Sequence, residues 1–217
     1  MKVIRNICIL ILLIAALSLS LFSCKTGAVW QRKGEDTQDI ETDVAEVNGS
    51  EKYIVFAALS STGAPIAATD DSTVAAAYAV VGYTGLVAEL VIPARYTDTT
   101  IYTAASGDDH SLPVTQVLVV PQYSSYKCSM DGAAYSGNDA RLANNTVVKS
   151  IVFGSNVASV GAGVCAAMIN LEKVEFKKSG VALGDHAFTY CTRLATVTGT
   201  YTDANSTAFV GCAYTPA

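Results

Sequence analysis

The segment Val148-Lys-Ser-Ile151-Val-Phe153 returns 23 residues later as Leu171-Glu-Lys-Val174-Glu-Phe176, and after the same interval as Leu194-Ala-Thr-Val197-Thr-Gly199. Behind each copy lies a second apolar cluster: Val160-Gly161 with Val164-Cys165 and Met168, then Leu183-Gly184 with Ala187-Phe188 and Cys191. Ala208-Phe209 and Cys212 follow the third copy at matching offsets, with two residues fewer before them. A fixed period of this length indicates stacked units, none of which buries its apolar face alone. No long stretch has helical period, and short β-rich runs alternate with turn residues, so the units are strands and turns. One strand per unit builds a parallel ladder with about 4.8 Å between neighbours.

Val-x-x-Ile-x-Phe followed by Val-x-x-Val-Gly, and above all Gly184-Asp-His-Ala187-Phe188-Thr-Tyr-Cys191-Thr-Arg-Leu194, resemble the BspA-type (treponemal) leucine-rich repeat. The segment from Tyr78 through Gly82-Tyr83-Thr-Gly85 to Leu90-Val-Ile92-Pro93 is similar to the opening coil of such arrays, and Leu112-Pro113-Val114 with Val119-Val120-Pro121 to the next. The resemblance implies a β-dominated solenoid, a short right-handed array of about five coils over residues 52–217. Within it, 52–85 are read as N-terminal capping strands, 86–147 as two coils with insertions and 148–217 as three regular coils. Val87, Thr115, Val148, Leu171 and Leu194 then start the coils, at spacings of 28, 33, 23 and 23.

On that register Leu90, Leu118, Ile151, Val174 and Val197 point inward, with Ile92, Val120, Phe153 and Phe176 beside them. Alternation along each strand turns Val91, Val119, Val152, Glu175 and Thr198 outward. Three valines in such a row are more apolar than solvent requires, and exposed apolar patches mark interaction sites. β-propensity alone, or cover from residues 53–59, also accounts for them. The insertions around 97–111 and 123–145 carry Tyr102, Tyr123, Tyr126 and Tyr135, with Tyr96 next to the first. Tyrosine suits recognition surfaces because it offers contact area at low entropic cost. Plain surface loops are the alternative, since added loop length costs little. With Tyr214-Thr-Pro-Ala217 soon after the last copy, an open end of the array invites a partner or a second copy of the chain.

Ahead of the repeats, Lys2 and Arg5 precede an apolar run over residues 7–21 that ends in Leu21-Phe22-Ser23-Cys24. This is the layout of a secretory signal, and its end resembles the lipobox of bacterial lipoproteins, which implies acylation of the Cys24 thiol. Phe22 departs from the usual residue there, and an uncleaved anchor is the competing reading. Cleavage after residue 23 would lower the formal charge from -5 to -7. So acidic a chain, with no basic cluster, suits neither nucleic acid nor charge-driven adhesion to anionic membrane. The lipid would supply the membrane contact, two or more chains being needed for stable attachment. Residues 24–51 are polar and acidic with little to bury, and read as a disordered tether; Trp30 within it is an exposed or interfacial ring.

Four cysteines remain in this exported setting: Cys128, Cys165, Cys191 and Cys212. Cys191 and Cys212 hold equivalent repeat positions, so they lie near disulfide range, although buried thiols at that position pack equally well. There is no C-x-x-C, and His110 and His186 are the only histidines, so no zinc spacing exists. Asp70-Asp71 and Asp108-Asp109 lack the alternation of a calcium loop. No phosphate-binding glycine motif or nucleophile elbow occurs, and nothing in the chain proposes an enzyme or a cofactor. Proteins of the resembled family are surface proteins linked to attachment to host proteins and cells and to contacts between bacteria. The implied role is protein binding and adhesion at the cell surface or outer membrane. A periplasm-facing assembly lipoprotein and a carrier of a small apolar ligand are the alternatives.

Overall fold

A computed structural model describes residues 48–98 and 111–216. Cys24, most of the acidic segment, Tyr102 and His110 lie outside the described residues. Two strands open the fold, β1 (Ile54–Leu59) and β2 (Ala77–Tyr83), followed by β3 (Glu89–Ile92), β4 (Arg95–Thr97) and β5 (Ser111–Val117). Then come β6 (Cys128–Met130) and β7 (Ala133–Ala134). The periodic part supplies β8 (Ser150–Phe153), β9 (Ser159–Val160), β10 (Lys173–Phe176), β11 (Val181–Leu183), β12 (Thr196–Thr198) and β13 (Tyr201–Asp203). Among the described residues there is no α-helix, only two short 3-10 turns, at Glu51–Tyr53 and Tyr123–Ser125.

The predicted ladder is present and parallel. β3, β8, β10 and β12 form a four-stranded sheet in which Leu90, Ile151, Val174 and Val197 are register partners. Ile92, Phe153 and Phe176 share the next inward row. A second parallel run, β5-β9-β11-β13, aligns Val117 with Val160 and Leu183. Side chains from both runs meet in one core, in which Phe153 stacks on Phe176 at 5.0 Å and Phe188 on Phe209 at 5.4 Å.

The coil count differs from the expectation. Four strands occupy the ladder, because β8 pairs directly with β3 and residues 118–120 are not between them. Val117 instead holds the position of Val160 and Leu183 in the second run. Thr115 therefore lies inside the first coil and does not start a new one. Both strands of a coil carry the same apolar alternation, so where the spacing is irregular the pattern does not say which is which. Residues 118–149 are an excursion that adds β6 and β7 to the far side of β1.

This excursion explains two apolar runs that have no period. β1 is buried at every position, Ile54 and Phe56 facing the main core, Val55, Ala57 and Leu59 a second one with Val120, Tyr123, Cys128 and Ala140. β2 divides the same way, Tyr78 and Val80 against Ala79 and Val81. A strand buried on both faces needs an unbroken apolar sequence.

The repeat is also visible in the backbone. Gly163 and His186 share a left-handed φ of 63° and 59°, as do Ala167, Tyr190 and Gly211 at 56°, 60° and 76°. His186 is thus a turn residue set by the coil geometry. At Gly184 a Cβ would lie 2.6 Å from the amide nitrogen of Ala162 in the preceding coil, so the Gly of the motif permits close stacking.

Candidate functional site

The outer face of the four-stranded sheet carries Val91, Val152, Glu175 and Thr198 as consecutive register partners. Val91 and Val152 are half-buried neighbours, and Thr198 is exposed. Glu175 accepts from Lys177 at 2.6 Å and Lys173 at 3.2 Å. The Lys177 hydrogen bond is the main reason its carboxyl is held below the usual range. The row passes from two valines through a paired charge to a threonine, on strands about 4.8 Å apart.

Val119 is a correction to this row. It lies on the excursion after β5, half-exposed, and lines a cavity of about 220 Å³ together with Val81, Leu118, Arg141, Leu142 and Val164. Its displacement follows from the missing fifth ladder strand. Leu118 and Val120 leave the inward rows for the same reason: Val120 belongs to the second core and Leu118 packs on it.

Tyr96 and Tyr123 are corrections of another kind, since both rings are buried. Tyr96 stacks on Phe56 at 3.8 Å and meets Tyr78 edge-on at 5.0 Å. Its hydroxyl accepts from the amide of Gly132 at 3.1 Å and pairs with Ser129 at 3.3 Å. Desolvation pushes its phenol up. Tyr123 donates to the carbonyl of Val81 at 3.3 Å and touches Tyr135 edge-on at 5.4 Å. A buried tyrosine places its ring in the core and gives its hydroxyl a partner, so these two are structural. Tyr126 and Tyr135 stay half-exposed on the excursion.

The two ends of the ladder differ. At β3, Ser50 accepts from the amide of Val91 at 3.0 Å and donates to its carbonyl, while Asn48 donates to the carbonyl of Glu89 at 2.9 Å. Ser50 is fully buried, so the folded part begins before residue 52, and Asn48 and Ser50 belong to it rather than to the tether. This cap could not be read from composition, because a polar side chain satisfying a strand edge leaves no apolar pattern. At β12 no described strand pairs with the outer edge. Tyr201, Phe209 and Tyr214 close that end in a ring cluster, with Tyr201 and Tyr214 hydroxyls 3.0 Å apart.

All four described cysteines are free thiols. The Cys191 thiol donates to the carbonyl of Cys165 at 3.1 Å, and that of Cys212 to the carbonyl of Phe188 at 3.0 Å, equivalent bonds one coil apart. Burial pushes the Cys128 and Cys165 thiols up to about 12, which removes the thiolate needed for reactivity. Among the described residues no group of His, Cys, Asp or Glu is arranged to hold a metal ion, and no helix is long and apolar enough to cross a membrane.

No protein-family model matches the chain, and no curated protein matches it. Among solved structures it is similar to a leucine rich cell surface protein of Faecalibacterium prausnitzii A2-165, at 19% identity and a TM-score of 0.39. The match covers 64% of this chain and 33% of that one, so the chain spans about a third of that protein's length.

Proposed function

We propose that this chain is an exported, lipid-anchored binding protein of the bacterial cell envelope, acting by protein–protein contact through the outer face of its parallel ladder. The observation that carries this reading is the register of Val91, Val152, Glu175 and Thr198, which makes one continuous row from residues far apart in sequence. A row fixed by backbone pairing costs little entropy to present to a partner. The Lys2, Arg5 and Cys24 pattern supports export and acylation, and the acidic segment after it supports a spacer between lipid and fold. In this reading the partner is a host extracellular protein or another envelope protein, and the role is adhesion at the cell surface.

Protease shaving of intact cells tests the location. An adhesin loses its folded part to the protease, whereas a periplasm-facing assembly lipoprotein keeps it until the outer membrane is opened. Radiolabelled palmitate incorporation that disappears in Cys24→Ala supports the anchor, and equal labelling of that variant contradicts it. Carriage of a small apolar ligand rests on a different observation, the 220 Å³ apolar cavity beside Val119. Native mass spectrometry showing a lipid on the protein, lost in Val119→Asp, would favour that reading over the first. Self-association through the β12 end is part of the proposal, and a sharp monomer mass by light scattering at high concentration removes it.

A further inference from the structure

We propose that the excursion builds a saccharide-binding groove, separate from the ladder face and independent of the role assigned to it. The groove has a volume of about 360 Å³ and is lined by the polar groups of Asp71, Ser124, Tyr126, Lys127, Tyr135 and Ser136 together with the small side chains of Ala68, Cys128 and Ala134. It lies where the turn after β1 meets the segment around β6 and β7. None of these residues is needed to close a coil.

The walls are held before any ligand arrives. The amide of Ala68 donates to Ser125 at 3.0 Å, that of Lys127 to Ile66 at 2.9 Å and that of Tyr135 to Cys128 at 2.8 Å. Tyr126 and Tyr135 pack on the second core while also lining the groove, and buried Tyr123 meets Tyr135 edge-on. Their positions are thus set by tertiary packing, and ordering them on binding costs little.

The chemistry of the lining selects the ligand. Aromatic faces carry negative potential and favour the C–H faces of a pyranose ring. Asp71 offers a carboxylate, its side chain 96% exposed and 3.7 Å from the Lys127 ammonium. A carboxylate accepts from two neighbouring hydroxyls at once, and an ammonium beside it donates to a third. Ser124 and Ser136 add hydroxyls of either sense, and the phenol hydroxyls of Tyr126 and Tyr135 have no hydrogen-bond partner among the described residues. Paired opposite charges make the groove a poor anion site. A peptide would need either a deep apolar anchor pocket or a strand edge to extend; beyond the two tyrosines the apolar lining is only Ala68, Cys128 and Ala134, and β7 is two residues long. A neutral polyhydroxylated ring satisfies every group present.

The test uses the full chain in detergent, immobilised and exposed to chitohexaose, mannohexaose, xylohexaose and maltohexaose up to millimolar concentration. The expected result is retention of at least one of them, weakened fivefold or more by Tyr126→Ala and equally by Asp71→Ala, with Leu86→Ala, at an exposed residue outside the groove, unchanged. Asp71 is so exposed that its replacement leaves folding intact, which far-UV circular dichroism checks. Retention of none of the four, or a loss smaller than fivefold in either groove variant, overturns the proposal. So does preferential capture of an apolar peptide at Tyr126.

Discussion

The periodic part of the molecule, residues 148–212, and the part before it bury comparable side chains by different means. In the periodic part each large residue sits on its own equivalent one coil away: Phe153 on Phe176, Phe188 on Phe209, Val174 between Ile151 and Val197. In the earlier part only the first coil does so, with Leu90 beside Ile151, Ile92 beside Phe153 and Val117 beside Val160, and the other large residues have no equivalent to meet. Tyr96 lies on Phe56 and Tyr78, and β1 is pressed between two cores by β2, β6 and the excursion. The difference teaches that a repeat specifies its contacts through spacing alone, whereas an irregular half must specify each contact by a particular pairing of distant residues.

The sharpest break of this comparison is Phe188→Ala. Phe188 is fully buried against Phe153, Phe176 and Phe209, so one substitution empties a site shared by three coils. A loss of about 3–5 kcal/mol is expected in denaturant unfolding. If the periodic part unfolds separately, the loss will appear in one of two transitions; coincident transitions would show both halves folding together.

Gly184→Ala probes the stacking distance itself. The added methyl group would meet the backbone of Ala162 and Gly161, which cannot turn aside as a side chain can. The expected cost is about 1–3 kcal/mol, far above the near-neutral or stabilising change of the same substitution at an open site.

These two residues also mark how much of the fold could be read in advance. The register of Ile151, Val174 and Val197 follows from a strict 23-residue interval, because in-register parallel strands repeat the same side chain at the same place. The first coil broke that interval. Residues 93–110, which include β4, separate its two strands β3 and β5, and 118–149 follow it, so the spacing assigns Thr115 the start of a coil although β5 is the second strand of one. The error carried Val119 onto the outer row. Tyr96 and Tyr123 differ from the expectation for a related reason: sequence places a tyrosine beside a loop, whereas ring contacts and hydroxyl partners, which only the fold defines, place these two in the core. Val91, Val152, Glu175 and Thr198 kept their relative places because each follows an inward residue of a true ladder strand.

Ser50→Ala sharpens the contrast between the ends of the ladder. It removes the hydroxyl that bonds both backbone groups of Val91 and leaves them buried or newly wet. A loss of about 1 kcal/mol is expected, together with faster amide exchange at Val91 by nuclear magnetic resonance. Unchanged exchange would mean that the cap does not hold this edge.

Glu175→Gln has the smallest predicted effect, about 0.5 kcal/mol or less at neutral pH and less again in high salt, as expected of a partly exposed ion pair. The folded-state pKa of Glu175 is depressed, so its stabilisation is present above the ordinary glutamate value of 4.5 and fades as pH falls through the depressed one. Wild type and variant should therefore converge in stability in acid. A gap that widens as pH falls would contradict the assigned pairing.

Nuclear Overhauser contacts between labelled methyl groups test the four-stranded register most directly. Cross-peaks linking Val91 to Val152, and Ile151 to both Leu90 and Val174, are predicted, with Val119 linked to Leu142 and Val164 instead. Cross-peaks from Val119 to Val91 and Val152 would put a fifth strand into the ladder and contradict the account.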